Sequence, residues 1–375
     1  MVRNRKVFKK TVSIVNEKST DMYESLVGDK KGFLLESYDK NYDRYTFFGM
    51  EPEEIVTSRG NALVITKADG TEEVREGNPL ERLKEYYSEF HIEKEDEELS
   101  FSGGLVGNLG YDFVRYSEVL PDNNPDEIGI ETIQMMLMTS FLMVDHVAET
   151  LTAVVLEEPS EEGREQAMEK AGQMIKKAME KKECKRNFYH DGKIIKKSDS
   201  IEEYGEKVEK IKHYIREGHV FQTVLSQRWT IETRQTGFEL YKELRELNPS
   251  PYLYYFNYGT FEVIGSSPEM IVKKQGNKVF TCPIAGTRKR GKDEAEDKRL
   301  RDELLSDEKE RAEHVMLVDL ARNDMGRISE FGTVKVTQFM EVQNYSHVMH
   351  IVSQVEGRKK GESHPLDLVA SFLPA

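Results

Sequence analysis

The stretch from Tyr252 to Pro283 confines the fold more than any other part of this sequence. Its β-prone runs, Tyr252 to Tyr258, Phe261 to Gly265, Met270 to Lys274 and Val279 to Pro283, are separated by short turns that include Gly259 and Gly276. Connections that short leave no room for a crossover helix, so neighbouring strands pair antiparallel. Upstream, from Val7 to about Val155, brief alternating apolar runs broken by turn residues predict more sheet, as in Ala62-Leu-Val-Ile-Thr66 and Leu151-Thr-Ala-Val-Val-Leu156.

Helices interrupt this pattern. Between Glu157 and Arg186, Ala167, Ala171, Met174, Ile175 and Ala178 recur at spacings of three and four, which predicts one apolar helix face. A helix with Tyr204, Val208, Ile211 and Ile215 on one side ends at Gly218 and leads to a strand, Val220 to Trp229. Another runs from about Gly237 to Leu247 and stops at Asn248-Pro249-Ser250-Pro251. The longest candidate spans Asp297 to Asp324, closed by Gly326. Strands at Thr333 to Thr337 and Val348 to Val355 follow, then a helical Leu366 to Phe372. The class is α+β with mostly antiparallel sheet, divided as residues 1–156, a connecting helix and linker at 157–197, and residues 198–375.

A net charge of −14, from 54 basic and 68 acidic residues, argues against nucleic acid as a partner. The two cysteines, Cys184 in a charged stretch and Cys282 beside an apolar strand, form neither a disulfide framework nor a metal spacing, which suits a reducing cytoplasm. The basic start leads into no apolar core of signal-peptide length, and no run approaches a membrane span.

Chemistry concentrates in the C-terminal region. Glu310 and Glu313 stand one helical turn apart, with Asp307 a turn earlier and His314 beside them. Converging carboxylates favour a hard cation such as Mg²⁺; the competing reading is a solvated acidic face balanced by Lys309 and Arg311. Val315-Met-Leu-Val-Asp-Leu-Ala321 is apolar almost all round and turns into Arg322-Asn-Asp324, so this helix is buried at one end. Ala285-Gly286-Thr287 reads as a turn whose amides and hydroxyl could receive an anion, or as an ordinary strand-to-loop turn before Arg288-Lys-Arg290. His350 alternates with Met349 and Ile351, and serves either proton transfer or a core hydrogen bond. Gln222 and Gln227 fall on opposite strand faces, so at most one reaches a given site, to orient water or ammonia or to satisfy backbone groups. Cys282 reads as an inert small hydrophobe. Gly103-Gly-Leu-Val-Gly-Asn-Leu-Gly110 matches neither a P-loop nor a dinucleotide fingerprint and reads as tight packing.

Five ordered blocks carry a resemblance: Phe221-Gln-Thr-Val-Leu-Ser-Gln-Arg228, Ile264-Gly-Ser-Ser-Pro-Glu269, Pro283-Ile-Ala-Gly-Thr287, Lys309 to Asp324, and Tyr345-Ser-His-Val-Met-His-Ile-Val-Ser353. They are similar to the chorismate-utilising enzymes, above all the anthranilate synthase component I family. Leu34-Leu-Glu-Ser37, Arg44-Tyr-Thr-Phe-Phe-Gly49 and Gly103-Gly-Leu-Val-Gly107 leading to Gly110-Tyr-Asp112 extend the likeness over nearly the whole chain.

The resemblance implies antiparallel sheets packed as a sandwich with flanking helices, and a reaction in which ammonia adds to chorismate as hydroxide leaves, followed by elimination of pyruvate. It implies that Glu313, with Glu310 in or near the same shell, holds Mg²⁺ against the ring carboxylate. Ala285, Gly286 and Thr287 would line the substrate, His350 would assist proton transfer or loss of the hydroxyl, and Gln222 would assist catalysis. A methyl group at Ala285, where aminodeoxychorismate synthases commonly carry a nucleophilic lysine, favours anthranilate over the para-aminobenzoate sibling. Glu36, Ser37, Pro251 and Tyr252 match segments that form a tryptophan feedback site in the family, and ammonia is expected from a separate glutamine amidotransferase subunit. The family continues past a segment like Phe372-Leu-Pro-Ala375 into a glycine-rich loop and a second metal-binding glutamate. The resemblance therefore implies that residues 1–375 carry only part of the catalytic region, with a non-catalytic chain that binds tryptophan or the glutaminase as the alternative.

Overall fold

A computed structural model describes residues 2–15, 17–37, 44–93, 99, 101–180, 189, 191–345, 347–361 and 363–373. The expectations placed on Cys184, Ser346, Pro374 and Ala375 lie outside the described residues. The chain forms two units, residues 1–182 with 244–375, and residues 183–243.

The first unit contains three sheets. The largest has eight strands in the order Glu262–Ser267, Tyr252–Asn257, Gly32–Glu36, Tyr45–Met50, Ser140–Asp145, Thr150–Glu157, Arg3–Ser13 and Phe90–Glu93. All of its pairings are antiparallel except the last. A five-stranded antiparallel sheet from Glu72–Glu76 to Gly104–Leu109 packs against it, and Phe33, Phe141, Val154 and Phe256 of the first sheet share a core with Val106, Met136 and Met138 of the second. The outer face of the large sheet is covered by the Glu161–Ala178 helix, whose buried residues are Gly163, Ala167, Ala171, Met174, Ile175 and Ala178. The spacing of small residues explains the close fit, because alanine lets the helix backbone approach the strands.

The third sheet holds Lys273–Gln275, Lys278–Thr281, Ile284–Lys289, Lys335–Asn344 and Val348–Arg358, the last strand being the shared partner of three others. Its odd-numbered residues Met349, Ile351, Ser353 and Val355 are buried, and they face helices Glu294–Ser306 and Glu308–Ile328 through Leu304, Val318, Ala321 and Met325. This alternation is the one the sequence predicts for His350 and its neighbours. No helix among the described residues is long and apolar enough to cross a membrane.

Two expected elements differ. The single helix from Asp297 to Asp324 is two helices meeting at Asp307, which ends one and caps the other by accepting the Lys309 and Glu310 N–H groups. An aspartate side chain competes for backbone donors, so it favours a cap over a helix interior. Gly326 lies within the second helix, which runs on to Ile328 because its last turn is buried against the sheet through Met325 and Ile328. The strand expected over Val220 to Trp229 begins only at Trp229: in the second unit Trp229–Glu232 pairs with Lys193–Lys197, while Phe221 and Val224 are exposed and carry no ladder. An alternating pattern needs a pairing edge to become a strand, and none is offered to that segment among the described residues of its unit.

The cap makes the acidic helix sensitive to pH. Hydrogen bonds from the Glu310 amide and then from Arg288 hold the Asp307 carboxyl below its ordinary value of 3.8. A group with a lowered folded pKa stabilises above the unfolded value and loses that contribution as pH falls. Asp307→Ala is therefore expected to lower the thermal midpoint at neutral pH, with the gap to the parent closing as pH drops below the ordinary carboxylate range; calorimetry across pH checks it.

Candidate active site

The site grows from a bulge. Along the pair Ile284–Lys289 and Val348–Arg358, Ala285 lies opposite Ile351 and Thr287 opposite His350, so Gly286 is an extra residue. It takes φ +67°, the left-handed region that glycine enters without penalty. The expected turn at 285–287 is thus a bulged strand. The extra residue inverts the side-chain alternation that follows it: Ala285 and Arg288 both fall on the helix face with Ile351 and Met349, whereas Thr287 shares the opposite face with His350.

Each side of the bulge carries one part of the site. On one, His350 Nδ1 lies 2.9 Å from the Gly286 carbonyl oxygen and 3.1 Å from Thr287 Oγ1. A carbonyl only accepts, so Nδ1 carries the proton and Nε2 is left as the reactive nitrogen. The Tyr345 ring stands edge-on to the imidazole with centroids 5.3 Å apart. On the other side, a β-carbon placed on Gly286 would lie 3.3 Å from Glu310 Oε2 and 3.0 Å from Leu304. The glycine backbone is therefore in reach of both the carboxylate and the imidazole.

Arg288, which had counted only as part of a basic stretch, supplies the local cation. Its guanidinium meets Glu303 at 3.0 Å, Asp307 at 2.8 Å and Glu310 at 3.7 Å. The balance for the acidic helix thus comes from across the bulge, and the signal that could have revealed it is the glycine inside a strand, which warns of a parity change. Glu310 and Glu313 lie half-buried one turn apart on one helix, and carboxylate oxygens of this kind are the donors a hard cation takes while keeping most of its water shell. Among the described residues no group of three or more acidic, histidine or cysteine side chains forms a closed metal cage.

A cavity of about 290 Å³ opens on the His350 face and is lined by Cys282, Gln343, Tyr345, Val352, Pro251 and Tyr252 among others. Burial pushes the Cys282 thiol up from its ordinary pKa, which keeps it protonated and weakly nucleophilic, in keeping with its reading as an inert residue. Gln222 lies in the second unit.

Two of the segments proposed for an effector lie on one strand pair. Leu253 sits opposite Glu36, and Tyr252 and Ser37 each stand one residue beyond that pair. Glu36 is buried and accepts hydrogen bonds from Ser19 and, at 2.9 Å, from Arg245 Nε. The buried Ser37 hydroxyl has no hydrogen-bond partner among the described residues.

With this geometry in hand, residues 32–375 match the chorismate binding enzyme family. The chain belongs to that family. It is 40% identical over 356 residues to anthranilate synthase component 1 of Acetivibrio thermocellus, covering 92% of this chain and 72% of the relative. The corresponding protein of Aquifex aeolicus is 40% identical over 354 residues, covering 91% and 71%. The crystal structure of anthranilate synthase component I from Streptococcus pneumoniae superposes with a TM-score of 0.78 at 34% identity, over 88% of this chain and 73% of that one. This chorismate binding enzyme therefore carries the α+β architecture that its sequence implies.

Gly286→Ala tests the bulge. A methyl group would meet Leu304 at 3.0 Å and Ile351 and Glu310 at 3.3 Å, on a backbone at φ +67°. The left-handed conformation alone costs roughly 1–2 kcal/mol for a non-glycine residue, so denaturant unfolding is expected to show at least that loss.

Proposed function

We propose that this protein is the chorismate-converting component of an anthranilate synthase, a lyase that turns chorismate and ammonia into anthranilate, pyruvate and water. The observation that carries this reading is the Gly286 bulge, which puts a tautomer-fixed histidine and an acidic helix against one stretch of backbone. The small buried Ala285 beside it offers no amine, so nitrogen must come from a diffusible donor rather than from a protein lysine.

Each residue then has a task. Glu313 and Glu310 would hold Mg²⁺, which when bound neutralises the ring carboxylate and steadies charge as the hydroxyl departs. Thr287 and the amides around Gly286 orient the acid. His350, whose Nδ1–H is held by the Gly286 carbonyl, works through its unprotonated Nε2: it takes a proton from the nitrogen as ammonia adds, passes it to the leaving hydroxyl, which departs as water, and then takes the ring proton as pyruvate is expelled. The donor would be a glutamine amidotransferase subunit, and the setting a reducing cytoplasm. Tryptophan, the end product of the pathway that anthranilate opens, would bind at Ser37, Pro251 and Tyr252, where the unpartnered Ser37 hydroxyl offers a hydrogen bond and Glu36 shapes the polar end.

Two assays test this on the whole gene product. With chorismate, ammonium and Mg²⁺, fluorescent anthranilate is expected, and Glu313→Gln should lower kcat/KM by about a hundredfold or more, the scale of losing one preorganised electrostatic group; turnover unchanged by that substitution contradicts the assignment. Ser37→Ala should raise the tryptophan concentration for half-inhibition roughly tenfold, as loss of one buried hydrogen bond does, and an unshifted inhibition curve removes Ser37 from the effector site.

A further inference from the structure

One buried hydrogen bond between the acidic helix and the histidine strand has no part in the proposed chemistry. His314 directly follows Glu313 and lies one turn past Glu310, yet it is 0% exposed, as is Ser353, three residues beyond His350. The two meet at 2.6 Å between Nε2 and Oγ. The same hydroxyl accepts the Met340 N–H at 3.0 Å, and the Ser353 N–H donates to the Pro283 carbonyl at 3.1 Å. One serine and one histidine thus join the helix bearing both carboxylates, the strand bearing His350, the neighbouring strand and the segment entering the Gly286 bulge.

Two features mark this as more than filler. Met340 holds φ +55° where the ladder between Lys335–Asn344 and Val348–Arg358 breaks register between Gln338 and Glu341. A non-glycine residue stays in that region only where its surroundings force it. His314 Nδ1, in turn, is buried with no hydrogen-bond partner among the described residues. A half-satisfied polar pair holds a fold less well than apolar side chains of the same size, so its contribution is direction and distance rather than stability.

We propose that His314 and Ser353 are positioning residues that fix the separation between the Glu310–Glu313 carboxylates and His350. The proposal rests on the functional reading above. Both residues act through others, since neither reaches the face of the sheet where Thr287 and His350 lie.

The test uses the whole gene product with Ser353→Ala, His314→Gln and the double variant. Mg²⁺ binding is measured by calorimetry without substrate, and kcat, the chorismate KM and the thermal midpoint alongside. Small displacements of a catalytic group cost one to two orders of magnitude, so Ser353→Ala should weaken Mg²⁺ binding and lower kcat by about tenfold each. The double variant should be no worse than the more impaired single one, because the pair acts as a unit. Should Ser353→Ala fail to fold, His314→Gln, which keeps a nitrogen able to reach the hydroxyl, is expected to be intermediate in both readouts. Variants with a lower midpoint but parental Mg²⁺ binding and kcat overturn the proposal and leave an ordinary core contact. A parent protein that makes no anthranilate refutes the functional reading instead, and the Mg²⁺ titration distinguishes the two failures.

Discussion

The extra residue at Gly286 is the constraint on which the site depends. A regular strand would send Ala285 and Thr287 to one face and Gly286 and Arg288 to the other. The bulge breaks that rule, turning Thr287 toward His350 and Arg288 toward the helices. It also leaves the glycine carbonyl free of the ladder to receive the imidazole. Only glycine satisfies all of this, since any side chain would meet both an unfavourable φ and the Glu310 carboxylate. One backbone irregularity therefore sets the imidazole tautomer, the place of the arginine and the close approach of the strand to the acid.

Charge is arranged around the same point. Glu303, Asp307 and Glu310 gather at the junction of two helices, and the Arg288 guanidinium compensates them from the adjoining strand. Exposed pairs of this kind contribute little to stability. Their consequence is geometric: a planar guanidinium with several partners keeps the start of the acidic helix against the bulged strand. Asp307 adds to this by capping, so the helix break and the arginine are parts of one joint.

Much of this was legible in the residues. The antiparallel sheets follow from the short turns after Tyr252, and the His350 alternation and the apolar face of Glu161–Ala178 follow from periodicity. The close approach of Gly286, Glu310 and His350 was carried by family likeness rather than by spacing, because residues over sixty positions apart meet only through strand pairing. What stayed hidden had physical causes. The joint at Asp307 sits inside an unbroken helical pattern, where an aspartate reads as one more member of a solvated acidic face. Arg288 stood only as the start of a basic stretch because the bulge that redirects it cannot be read from alternation. Phe221 and Val224 have strand character without a pairing edge among the described residues of their unit.

The hydrogen bond from His350 to the Gly286 carbonyl has a direct readout in the protonation of the two imidazole nitrogens. Nitrogen-15 correlation spectra of the neutral imidazole report which of them bears hydrogen. The proton is expected on Nδ1, with Nε2 showing the shift of an unprotonated ring nitrogen. A proton found on Nε2 in the folded protein, with Nδ1 bare, would contradict it, because the bulge would then not be orienting the histidine.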